Sequence, residues 1–65
     1  MTMGDKIRER REALEMTQED LSVEVGVGRS FICKIETGAK HPNVVLLQRI
    51  AKALRCTMDE LVEVA

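Results

Sequence analysis

Four side chains in the run GVGRSFICKIETG, residues 26–38, have the chemistry to recognise another molecule: Arg29, Ser30, Cys33 and Lys34. Two are strong cationic donors, one is a hydroxyl that donates and accepts, and one is a small polarizable thiol. On a helix advancing about 100° per residue from Gly28 at 0°, Arg29, Cys33, Ser30 and Lys34 fall at about 100°, 140°, 200° and 240°. Ile32, Ile35 and Glu36 fall on the core side, between about 340° and 80°. The segment therefore presents a polar, cationic face opposite a face suited to burial. A helix about 10 to 12 Å across fits the major groove of DNA, where Arg or Lys donates to guanine O6 and N7 and Ser bonds several base edges. Gly28 carries no side chain and lets the helix N-terminus come close to a duplex. Gly28, Arg29, Ser30, Cys33 and Lys34 are the candidate base contacts, with Cys33 suited to a thymine methyl. The competing reading of such charges is a solvated helix face. Phe31, near 300° on the same wheel, can lie partly buried beside Ile35 or make apolar contact with DNA.

The elements that would position this face follow from punctuation in the chain. The spacing predicts an all-α fold of five short helices. The first runs from about Asp5 to Glu15, with Ile7, Ala13 and Leu14 as its apolar positions. The second opens at Thr17, whose hydroxyl can take the N–H of Asp20 while the Asp20 carboxylate reaches back. Leu21 and Val25 then share its buried side, and Gly26 suits a C-terminal position that needs positive φ. The third spans about 28 to 37 and is ended by Gly38. Pro42 and Asn43 start the fourth, where Leu47, Ile50, Ala51 and Leu54 make the most regular core stripe in the sequence. Thr57 and Glu60 open a fifth with a second capping box, and Leu61 points inward. Between Val25 and Gly28 lies only a short turn containing glycine, which is the signature of a helix-turn-helix.

Composition bounds what such a scaffold can do. A chain of 65 residues supports one domain, 1–65, because a chain of this size buries only about 60% of its unfolded surface. With one Phe and no Trp or Tyr, the core must come from aliphatic residues and Met, which suits packed helices. The formal net charge of -1 hides a division: residues 26–58 hold Arg29, Lys34, Lys40, Arg49, Lys52 and Arg55 against Glu36 alone. Clustering of this kind matters more than the total when the partner is a polyanion. Cys33 and Cys56 lack C-x-x-C spacing and His41 is the single histidine, so a zinc site, a disulfide framework and a nucleophile–base pair are all unsupported. The expectation is a protein that is not an enzyme, needs no cofactor or metal, takes no small-molecule substrate and, lacking an apolar run of about 18 to 20 residues or a signal peptide, is cytoplasmic rather than membrane-bound.

Residues 7 to 61 resemble the Cro/repressor helix-turn-helix family, the XRE-type DNA-binding domains typified by the phage lambda and 434 repressors. The resemblance rests on the run MTQEDLSVEVGVGRSFICKIETGAKHPNVVLLQRIAKAL, which carries T-Q-x-x-L, G-V, I-x-x-I-E-x-G, a proline and A-K-A-L in order. It implies a lambda-repressor-like fold in which helix three reads DNA. It implies base-edge positions for Gly28, Arg29, Ser30, Cys33 and Lys34, and phosphate contacts from Gln18, Thr37, Lys40 and His41. Thr17, beside Gln18 at the start of helix two, is a further candidate phosphate contact, and the competing reading makes Gln18 a plain helix N-terminal residue and Lys40 and His41 ordinary loop residues. The resemblance also implies a structural ion pair between Arg11 and Glu36, since family members join an arginine of the first helix to the glutamate of the third. Two departures stand out. Gly28 replaces the usual Ser or Thr, and Val45 and Leu46 replace a polar pair on the outer face of helix four.

Val45, Leu46, Val62 and Val64 are more apolar surface than five small helices need, and they suggest a self-complementary homodimer face, with core packing or fraying at the C-terminus as the competing reading. A two-fold dimer would set two recognition helices about 34 to 36 Å apart, one turn of DNA. The sequence thus points to a transcription regulator that binds double-stranded DNA as a homodimer on an inverted repeat. The alternative is an adapter or antitoxin-like module whose apolar surface on helices four and five grips a protein partner.

Overall fold

The computed structural model describes residues 1–62. Five helices follow one another, α1 Met3–Ala13, α2 Gln18–Val25, α3 Arg29–Thr37, α4 Val44–Ala53 and α5 Met58–Leu61, and there is no strand among the described residues. Three of them open with the same device. Thr2, Thr17 and Thr57 each accept the N–H of the third helical residue, while Asp5, Asp20 and Glu60 return a bond to the cap backbone. Asn43 caps α4 by accepting from the Leu46 N–H at 2.8 Å. Such caps satisfy amides that no helix can pair internally.

The first helix departs from the sequence reading at both ends. The Thr2–Asp5 box starts it two residues early. It ends at Ala13 because the chain turns through Glu15 at φ 57. Ala13 is exposed rather than core-facing, whereas Leu14 is half-buried against the core.

Ile7, Leu21, Ile32, Ile50, Leu54 and Leu61 form the fully buried centre, drawing at least one side chain from every helix. Val25, Ile35, Leu47 and Ala51 complete the expected stripes. Leu46 corrects an expectation: assigned from sequence to an exposed dimer face, it is 9% exposed and belongs to the core. The reason is geometric. Leu46 lies one turn before Ile50, so it extends the α4 stripe along one edge, and α4 is flanked by both α2 and α5. One further residue sets how closely two helices approach. A Cβ on Gly4 would collide with the carbonyl oxygens of Glu36 and Ile35, so only glycine lets the start of α1 lie directly on the end of α3.

Candidate nucleic-acid interface

The joint between α2 and α3 orients the candidate face. Gly26 ends α2 in the left-handed region at φ 85, and its N–H donates to the Ser22 carbonyl at 2.8 Å. Val27 donates to the same carbonyl at 3.1 Å. Two residues later Gly28 is already the N-cap of α3, extended at φ -73 and ψ 153, with its carbonyl accepting from Phe31 and Ile32. The chain thus reverses within three residues, and left-handed backbone at Gly26 avoids the steric cost a Cβ would carry. α3 alone among α1 to α4 has no side-chain bond at its cap.

Ile32, Ile35 and Glu36 are the buried residues of α3. Gly28, Arg29, Ser30, Cys33 and Lys34 are all exposed, and Cys33 is a free thiol. On a helical wheel Arg29, Ser30, Cys33 and Lys34 lie on the side turned away from those buried residues. Phe31 is half-buried and packs on the core cluster, so burial takes most of a side chain for which the sequence left two uses open. At the far end of α3, the Lys34 carbonyl accepts from the Thr37 hydroxyl and from the Lys40 N–H, both at 3.1 Å. This folds the following loop back onto the last turn and leaves Thr37, Lys40 and His41 exposed beside the same helix. Thr17 is exposed as well, with its hydroxyl occupied by the Asp20 N–H at 3.0 Å.

Beneath this surface lies a buried polar network. The Arg11 guanidinium donates through Nε to Glu36 Oε2 at 2.7 Å and through one terminal nitrogen to Oε1 at 3.2 Å. Its other terminal nitrogen donates to the Met16 carbonyl at 2.7 Å. Arg11 and Glu36 are 8% and 6% exposed, and the hydrogen bonds to the Glu36 carboxylate push the arginine pKa up. A two-pronged pair of this kind is tolerable in the interior because every charged atom has a partner. Gln18, expected at a phosphate, is half-buried, and its side-chain nitrogen donates to Glu36 Oε1 at 3.1 Å. That link joins residues 18 apart in sequence and has no local signature from which it could be read.

Among the described residues the exposed apolar surface differs in membership from the set the sequence suggests. Val45 is 59% exposed and Val62 40% exposed, Leu46 is core, and Val64 lies outside the described residues. Val44, which no sequence pattern singles out, is 64% exposed beside Val45. It stands at the first helical position of α4, where periodicity does not reveal whether a neighbouring helix covers it.

No helix among the described residues is long and apolar enough to cross a membrane.

Comparison with known proteins agrees with this architecture. Residues 7–61 match the family described as Helix-turn-helix. An uncharacterized HTH-type transcriptional regulator of Methanothermobacter thermautotrophicus is 48% identical over 52 residues, covering 80% of this chain and 75% of the relative. The repressor protein C2 of Salmonella phage P22 is 38% identical over 61 residues, covering 94% of this chain but only 28% of the phage protein's length. A crystal structure of the P22 c2 repressor in complex with a synthetic operator superposes with a TM-score of 0.93 at 36% identity, over 97% of this chain and 96% of that one.

Proposed function

The chain belongs to the XRE-type helix-turn-helix family, and on that footing we propose that it regulates transcription by binding double-stranded DNA sequence-specifically, as a homodimer on an inverted-repeat operator. The observation that carries this reading is the outer face of α3: Arg29, Ser30, Cys33 and Lys34 are exposed together on a helix whose opposite side is locked in the core. The phage relative for which a structure exists holds a synthetic operator. In this proposal residues 1–65 act as one DNA-binding domain. Arg29 and Lys34 donate to base edges, Ser30 adds an adaptable bond, Cys33 offers a small apolar contact and Gly28 allows close approach. Thr17, Gln18, Thr37, Lys40 and His41 line the flanks as phosphate contacts, which set register without reading sequence. Val45 and Val62, joined by Val44, offer the apolar patch through which two copies would pair.

Those exposed valines also favour a second reading, an adapter that grips a protein through α4 and α5. Selection of bound duplexes from a random library at about 0.15 M salt, where nonspecific binding is suppressed, separates the two. Enrichment of an inverted repeat with half-site centres about 10 bp apart is the expected outcome. Folded protein that enriches nothing would overturn the DNA reading in favour of the adapter.

A further inference from the structure

Glu36 holds two groups at once. Its carboxylate receives three hydrogen bonds on two oxygens: Arg11 Nε on Oε2, and both an Arg11 terminal nitrogen and Gln18 Nε2 on Oε1. Arg11 in turn reaches the carbonyl of Met16, two residues before Gln18. The first turn of α2 is therefore fastened to α3 at two places, through the Gln18 amide and through the backbone that leads into it. A carboxylate only accepts, so it selects one orientation of the Gln18 amide, nitrogen inward and not oxygen. An amide nitrogen carries two N–H groups, so the bond to Glu36 uses one and leaves the other for an acceptor outside the protein. Gln18 is half-buried, which limits the rotamers it can sample.

We infer that Glu36 is a positioning residue for DNA binding, fixing the Gln18 amide so that its second N–H meets a phosphate in register with the bases read by α3. This rests on the DNA-binding reading above and extends it. The ion pair is then more than a support for the core: it ties the helix that would set register to the helix that would read sequence. A conservative glutamine at position 36 cannot do the same work. It has one oxygen for three donors, and its own amide nitrogen would face another donor.

The test is a two-by-two comparison of Glu36→Gln and Gln18→Met, singly and together, measuring affinity for a selected duplex and, separately, thermal stability. A hydrogen bond to a charged group such as a phosphate is worth roughly a ten- to hundred-fold change in affinity. Glu36→Gln is expected to weaken binding by about that factor in the natural background and to have no further effect once Gln18 is Met, although it lowers Tm in both. Equal weakening in both backgrounds, or none in either, would overturn the positioning role and leave Glu36 a purely structural residue. A second measurement does not depend on a variant folding. In the free natural chain, the Gln18 side-chain amide proton that faces Glu36 is expected to exchange with solvent more slowly than the amide protons of the exposed Gln48; exchange as fast as that of Gln48 overturns the proposal. A natural chain that shows this slow Gln18 exchange and yet binds no duplex would instead overturn the DNA-binding reading, and the positioning role with it.

Discussion

The two faces of α3 differ in what they spend their side chains on. On the inner face Ile32 and Ile35 are 1% and 2% exposed, and Glu36 is enclosed by Arg11 and Gln18. On the outer face Arg29, Ser30, Cys33 and Lys34 stand in solvent. One helix thus carries a side that fixes its position and a side left available, with only about half a turn of rotation between them. This division means that a change on one face should alter stability and a change on the other should alter binding, and each can be tested against the other.

The largest effect is expected inside. Glu36→Ala leaves Arg11 charged and buried with no carboxylate, a change that costs about 3 to 5 kcal/mol. Denaturant unfolding checks it, and a loss below about 1 kcal/mol would show the interior of α3 to be far more tolerant than its geometry implies. Outside, Arg29→Ala should leave the unfolding curve within about 0.5 kcal/mol of the natural chain while costing about 1 to 3 kcal/mol of affinity on a selected duplex and relaxing preference at one base. Weakening by the same factor on every duplex would reassign Arg29 to the phosphates.

A smaller effect concerns acid. The Thr17 backbone N–H, followed by its hydroxyl, holds the Asp20 carboxyl below the usual carboxylate range. The folded pKa is lower than the unfolded one, so the stability it contributes is present above about pH 4 and is lost as the pH falls through the folded value. Asp20→Asn should therefore flatten the decline of Tm below about pH 4, and an unchanged decline would show that the cap does not couple to folding. The smallest effect is at the one uncapped helix. Gly28 has extended φ and open space where a Cβ would go, so Gly28→Ser should add a few tenths of a kcal/mol by supplying the missing cap. Calorimetry reads that gain, and a loss of duplex affinity in the same variant would identify the glycine as serving close approach.

Local chemistry was the legible part of this molecule. Thr17 with Asp20, Thr57 with Glu60, Gly26, Gly38 and Asn43 each act over a few residues, and each sits where the sequence alone places it. The start of α1 is not legible from sequence because Thr2 precedes a weakly patterned segment whose apolar positions are few. The burial of Leu46 is hidden for a different reason. A helix wheel gives the direction of a side chain but not how many neighbouring helices cover it, and α4 has two. The Gln18–Glu36 bond was invisible because it depends on the tertiary approach of α2 and α3. The outer face of α3 could be drawn from periodicity, while the groups that brace it could not.

Mapping backbone amide shifts as a selected duplex is titrated into the chain tests most directly whether α3 reads DNA with this face. The largest changes should fall on residues 28 to 34, with Gln18, Thr37 and Lys40 next and the outer valines of α4 moving only through pairing. Changes centred on Val44 and Val45, with residues 28 to 34 unmoved, would contradict it.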